Sequence, residues 1–273
     1  MRDKHLLSIR DFSKLTGIKQ TTLRYYDDIG LFSPAYHASS GYRYYSPTQI
    51  ITVNTILTLL ELKIPTREII KLQQNRTPEK MLDLCVQTKK ELDNALRNVQ
   101  RMNNIITTFQ MLILEGIKVG DQDEFNIRLE YSLAVPGRLG PVNDYSDDGD
   151  FRTGFQNFCM AAMEMNLDLH YPTGGYFESA SDFFSTPGQP KRFFLLDPSG
   201  RDEKAAGMYL SCYLKGDYGA LGDLPERMKE YAEKNDITLD GPVYHIFLND
   251  EISVKDPNEY VSLLTMSASP REK

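Results

Sequence analysis

The sequence predicts an α+β chain in three parts: a winged helix-turn-helix, a long coiled-coil helix, and a domain built from a duplicated strand-helix-strand-strand unit. Three observations predict it. Charge divides sharply along the chain, a heptad repeat runs through a proline-free stretch after Pro78, and one order of strands and helices occurs twice beyond residue 124. The three parts are expected at residues 1–76, 77–118 and 119–273.

The 273 residues are enough for two domains and a connecting element. A hydrophobic content of 41% and a charged content of 25% are ordinary for a globular protein. No run of 18 apolar residues occurs, so no membrane association is expected. The N-terminus "MRDKHLLSIR" scatters charge and holds no apolar signal core, so a cytoplasmic chain is expected. Cys85, Cys159 and Cys212 lie far apart with no paired spacing. That pattern argues against a disulfide scaffold or a zinc site and fits a reducing compartment. The net charge of -7 hides a division. Residues 1–76 hold 11 Lys and Arg against 6 Asp and Glu, whereas residues 119–273 hold 14 against 27. A basic head on an acidic body is the asymmetry of a chain whose one end meets a polyanion.

In the head, "SIRDFSKLTGIKQTTLRYYDDI" predicts two short helices around a turn at Gly17, with Ser8 as the first N-cap. Ile9, Phe12 and Leu15 share one face, and Leu23 anchors the second helix. Thr21, Thr22, Arg24 and Tyr25 are left near or on exposed faces, the disposition of a helix-turn-helix that reads DNA. "LFSPAYHASSGYRYYS" then predicts a hairpin turning at Ser39-Ser40-Gly41, which is a wing. Arg43 at its base can reach a phosphate or a minor groove, and the Tyr25 and Tyr42 hydroxyls can donate to phosphate oxygens. Ser46 and Pro47 predict the start of a third helix, running to about Lys63, and "KIPTREIIKL" breaks and restarts it.

"LRYYDDIGL", "GYRYYS" and "IPTREI" resemble the MerR family of bacterial transcription regulators, almost continuously over residues 8–76. The resemblance implies a winged helix-turn-helix dimer that bends and untwists an over-long spacer in double-stranded promoter DNA, where RNA polymerase is the further partner. It also implies that Arg24, Tyr25, Tyr42 and Arg43 contact the DNA. One departure is Leu60, which stands where the family often has a basic residue, so one phosphate contact is missing.

In the middle, Cys85, Leu92, Val99, Ile106 and Ile113 recur every seven residues, with Thr88, Ala95, Met102 and Phe109 between them. Pro78 to Glu115 is a seam of 38 residues, ending at Gly116. The family pairs two such helices antiparallel, so a homodimer is expected; a long helix packed on its own chain is the alternative. Metal-sensing relatives place a cysteine near the start of this helix and more in a loop beyond it. Here "EGIKVGDQDEF" has none, so Cys85 reads as a small buried hydrophobe and no metal is expected.

In the acidic body, "FNIRLEYSL" predicts a strand, "DFRTGFQNFCMAAMEMN" a helix, and "TGGYFES" and "KRFFLLD" strands. The order recurs at "AGMYLSCYL", "LPERMKEYAEKN", "PVYHIFLN" and "EYVSLLTMS". Tyr176, Phe177, Tyr209, Tyr213, Tyr218, Tyr244 and Phe247 are candidates for an aromatic pocket that stacks flat organic ligands. "GDYGAL", "GPVYHIFLND" and "NEYVSLLTM" resemble the GyrI-like effector-binding domain that MerR-type multidrug regulators carry behind the coiled coil. The resemblance implies glutamates at two positions that here are His245 and Leu263, and it makes both candidate effector-site residues. Loss of both glutamates predicts that neutral flat ligands bind at least as well as cations.

The expected function is therefore a ligand-responsive transcription regulator that activates its promoter on binding a flat hydrophobic molecule, without a cofactor and without catalysis. Two alternatives remain: a body that hydrolyses a reactive toxin, and a body that binds a protein partner. No P-loop, dinucleotide fingerprint or Ser/His/Asp arrangement is present.

Overall fold

The computed structural model describes residues 6–119, 126–145 and 149–271. The predicted boundary after residue 118 adjoins residues 120–125, and the predicted strand start at Phe125 lies outside the described residues. The chain divides into two compact units, Met1–Asn98 and Val99–Lys273.

The first unit begins with β1 (Leu7–Ser8), α1 (Ile9–Thr16) and α2 (Gln20–Asp28). The Ser8 hydroxyl accepts the Asp11 N–H, so the predicted N-cap forms, and Gly17 closes α1 at φ 73°. β2 (Tyr36–His37) and β3 (Arg43–Tyr45) make the wing, and β3 also pairs with β1 to give the order β1-β3-β2. Gly41 turns the hairpin at φ 81°, in the left-handed region that side chains disfavour. The third helix, α3 (Gln49–Glu61), starts later than Ser46 predicted. The Gln49 side chain accepts the Ser46 N–H at 2.9 Å, and the Ser46 hydroxyl pairs with Thr48 instead of capping the helix. α4 (Thr66–Gln74) follows. Phe12, Phe32 and Tyr45 stack at the centre, with ring centroids 4.5–5.9 Å apart. Leu23, Val53, Ile56 and Ile69 close around them. Leu60 packs half-buried against this core.

α5 (Pro78–Val119) is a single helix of 42 residues. It does not stop at Gly116. A Cβ there would lie 2.4 Å from the Asn249 side chain, so glycine permits a close approach inside the helix. Leu92, Val99, Met102 and Ile106 of the predicted seam are exposed along it, joined by Leu96. Cys85 is exposed with them on the single chain. Phe109 is set apart from the seam, as described below.

The second unit continues from the end of α5 with β4 (Arg128–Ser132), β5 (Val135–Leu139), α6 (Phe151–Glu164), β6 (Thr173–Phe177), α7 (Ala180–Ser185), β7 (Arg192–Leu195) and β8 (Asp202–Lys204). Then come β9 (Gly207–Lys215), α8 (Leu224–Lys234), β10 (Ile237–Thr238), β11 (Val243–Asn249), β12 (Val261–Ser267) and β13 (Ser269–Pro270). Eight strands form one antiparallel sheet in the order β4-β9-β12-β11-β6-β7-β5-β8, and β10 pairs with β13. The order is symmetric about the β11–β6 pairing, so the two strand-helix-strand-strand halves share one sheet.

One strand assignment changes. The segment read as the first strand of the first half, β4, pairs with β9 of the second half. The first half opens with β5, in the stretch read as a connection. Pro136 and Gly137 disguise it, and it serves as a strand because it lies next to the short edge strand β8.

Strand alternation divides the core. On the face covered by α7 and α8 lie Phe177, Leu210, Cys212, Val243, Leu264 and Met266. α6 covers Phe193, Leu195 and Phe247 with Phe151 and Phe158. The opposite face gathers Tyr176, Phe194, Tyr209, Tyr213, Tyr244, Ile246 and Leu263 with Leu112 and Val119 of α5.

Candidate nucleic-acid interface and ligand cavity

In the first unit a cleft of about 520 Å³ is lined by Ser8, Ile9, Arg10, Gln20, Arg24, Ser40, Gly41, Tyr42 and Arg43. It lies where α2 meets the wing. Of the six candidate DNA-binding residues it brings together Arg24, Tyr42 and Arg43. Thr21 and Tyr25 are exposed on α2, and Thr22 is half-buried there. Arg10 adds a third guanidinium, which sequence reading missed because it stands in the first helix. Tyr42 is 67% exposed, so its ring is a free tip and not core. Arg43 is not free. Its Nε donates to Asp27 at 2.7 Å and its Nη2 to Asp28 at 3.0 Å. The bond that Arg43 donates to Asp27 holds the Arg43 pKa above its ordinary value.

In the second unit the candidate effector residues divide between the two faces of the sheet. Tyr176, Tyr209, Tyr213, Tyr244 and Leu263 share the face that packs against Leu112 and Val119. Tyr209 and Tyr244 are 3% exposed and serve as core there. Tyr213 donates to Glu115 at 2.5 Å and lies under the Arg128 guanidinium, 4.3 Å from its ring centroid. Phe177 is buried on the other face. Alternation by two separates neighbours in a strand, and this is the physical reason the set scatters.

A different group assembles a cavity of about 640 Å³, and of the candidates Tyr218 and Phe247 line it. Phe109, Phe151, Phe155, Tyr171, Phe247 and Tyr260 supply aromatic wall, and Asp217, Asp250 and Glu251 supply carboxylates. Arg152 is the one guanidinium among the lining residues, and it pairs with Asp217. Asp250 accepts the Ile252 N–H at 3.1 Å. Burial raises the Tyr218 phenol above its ordinary pKa, and the Asp250 and Glu251 charges add to this, so it stays a neutral donor. His245 lies beneath the lining, its ring 4.7 Å from Phe247 and 6.5 Å from Phe151. Its Nε2 meets the Ser262 hydroxyl at 2.8 Å, and burial pushes its pKa down to about 4. It is a neutral core group that does not line the cavity.

Two links join the cavity wall to α5. Phe109, read as a seam residue, lines the cavity itself. Arg101 donates to Asp168 at 2.5 Å, and His170 Nδ1 meets the other oxygen of that carboxylate at 2.7 Å. Leu169 to Thr173, which follow, form one side of the cavity. Among the described residues, no group of three or more His, Cys, Asp or Glu is placed to hold a metal ion, and no helix is long and apolar enough to cross a membrane.

Residues 7–76 match the family described as MerR HTH family regulatory protein. The chain carries a MerR-family regulatory domain. Beyond that domain, the whole chain is 27% identical to the multidrug-efflux transporter 2 regulator of Bacillus subtilis, over 271 residues that cover 96% of each chain. The MerR domain is 42% identical over 67 residues to the multidrug-efflux transporter 1 regulator of the same species, covering 24% of each chain. The solved EcmrR-DNA complex in EcmrR-RPo aligns with 97% of this chain and 100% of that one, at 17% identity and a TM-score of 0.39. The likeness to the multidrug-efflux regulators thus extends beyond the matched residues 7–76 to nearly the whole chain.

Proposed function

We propose that the chain is a dimeric regulator that seats α2 and the wing on promoter DNA and responds to an organic cation held in the 640 Å³ cavity of its second unit. Thr21, Thr22, Arg24, Tyr25, Tyr42 and Arg43 serve the DNA, joined by Arg10. The dimer forms through the exposed apolar stripe of α5, and RNA polymerase is the partner at the promoter. The observation that carries the reading is an aromatic cavity with three carboxylates and one guanidinium in its lining and a residue of the long helix in its wall.

Such a lining favours a flat or compact aromatic cation, through ring stacking, cation–π contact and charge. It replaces the expected preference for neutral ligands, which weighed only the two lost glutamates and not Asp217, Asp250 and Glu251 in the turns after the strands. Hydrolysis is the weaker reading. His245 lies under Phe247 and away from the lining, and burial keeps it from taking up a proton near neutral pH.

Two measurements test this. Calorimetric titration of the full chain with a cationic and a neutral form of one aromatic scaffold should favour the cation by about tenfold, near 1.4 kcal/mol. Transcription in vitro from the DNA upstream of the chain's own gene should rise when that cation is added. Equal affinity for the two forms removes the cation from the proposal, and transcription indifferent to a bound ligand removes the regulatory coupling.

A further inference from the structure

Asp27 and Asp28 occupy the last turn of α2, next to the cleft lined by Arg10, Arg24 and Arg43. Two separate effects disfavour carboxylates there. The C-terminal end of a helix carries partial negative charge, and a DNA-facing surface repels anions. Their local partners give them a purpose. Asp27 Oδ2 receives Arg43 Nε at 2.7 Å and faces His37 Nε2 at 2.9 Å. His37 and Arg43 are cross-strand partners, one on β2 and one on β3. One carboxylate oxygen therefore fastens both strands of the wing to α2. Those strands are two and three residues long, too short to hold a fixed position without an anchor. The Asp27 side chain is 9% exposed, which is well shielded for an ion pair in a surface hairpin.

From this arrangement we infer that Asp27 is a positioning residue for DNA binding: it clamps the wing to α2 and aims Arg43, with Asp28 as the outer half of the clamp. The inference rests on the DNA-binding reading above. It reverses the simple electrostatic expectation, in which removing a negative charge beside the phosphates strengthens binding.

The test is fluorescence anisotropy of the full chain on a labelled fragment of the DNA upstream of its own gene, with unfolding midpoints as a fold control. Asp27→Asn should weaken binding by about tenfold, the scale of a hydrogen bond to a charged partner. Asp27→Glu should restore most of the loss, which a purely structural contact would not predict. Asp28→Asn should weaken binding in the same direction by about threefold, since it removes one outer bond from an exposed carboxylate. Asp27→Asn combined with Arg43→Ala should bind no worse than Arg43→Ala alone. Affinity for either single Asn variant at or above wild type overturns the clamp while leaving the DNA-binding reading intact. A wild-type chain with no affinity for the fragment overturns both.

Discussion

Tyr244 and His245 are adjacent in β11 yet belong to opposite faces of the sheet. The Tyr244 ring lies 5.3 Å from Phe194, while the His245 ring lies 4.7 Å from Phe247 beneath the cavity. The two residues that the motif "PVYH" writes side by side therefore do different work. Tyr244 completes a core on one face, and His245 supports the cavity's lining from the other.

His245 should make the second unit sensitive to acid. Its folded-state pKa is about 4 against an ordinary 6.5. Above pH 6.5 the imidazole is neutral in both states and adds no pH dependence. Between pH 6.5 and 4 the unfolded chain takes a proton that the folded unit refuses, so stability falls as pH falls, by at most about 3 kcal/mol over the window. His245→Gln keeps a partner for Ser262 and cannot titrate. Scanning calorimetry at pH 7, 6 and 5 should show a smaller loss of the unfolding midpoint in the variant than in the wild type.

Asp250 and Glu251 should set the charge preference of the cavity. Asp250→Asn and Glu251→Gln should each weaken a cationic aromatic ligand by about three- to tenfold, or about 0.7–1.4 kcal/mol, and leave its neutral analogue nearly unchanged. Glu251 is the more exposed of the two, so its effect should shrink more in high salt. Calorimetric titration at two salt concentrations separates them.

Tyr45 should tolerate loss of its hydroxyl. The residue is fully buried, burial raises its pKa to about 12, and its oxygen has no hydrogen-bond partner. Tyr45→Phe keeps the stack on Phe12 and Phe32 and removes an unsatisfied polar group. The first unit should be unchanged or more stable by up to about 1 kcal/mol. Hydrogen exchange at the Phe12 and Val53 amides of the full chain reads that change.

Val99→Asp should separate the dimer without unfolding the protomer. Val99 is 57% exposed within its own chain, so the charge stays solvated there, whereas a helix–helix seam would bury it. Light scattering should report a monomer with unchanged helix content by circular dichroism. A variant that remains a dimer places the dimer contact on another surface.

The winged helix-turn-helix was legible because its signals are local. A serine cap, a left-handed glycine and an Arg-Tyr hairpin each act within a few residues. The long helix was legible from its period of seven. Phe109 was misplaced by the same period: it shares the heptad position of the exposed Met102, and it lines the cavity because the segments around residues 169–173 and 250–260 lie beside its turn of the helix. The cavity was largely illegible. Its lining comes from α5, α6, Phe247 of β11 and three connections around residues 169–173, 217–218 and 250–260, with no shared spacing. Its carboxylates sit in turns, where acids are expected for solubility alone. β5 was hidden because Pro136 and Gly137 are poor strand formers whose use depends on what lies beside them.

Phe151 and Tyr218 stack with their ring planes 6° apart and centroids 5.8 Å apart. Both also line a second hollow of about 320 Å³, beside Gly149, Gln189 and Gly219. What divides the two spaces includes this aromatic pair, and side chains turn about single bonds far more readily than a sheet bends. These two rings therefore help set the room offered to a guest. A bulky guest that swings the Tyr218 ring toward the smaller hollow gives up its contacts with Phe151, Phe247 and Tyr260, each about 0.5–1.5 kcal/mol. On the proposed reading, guests of different size would need only this partition to move, with no rearrangement of the fold.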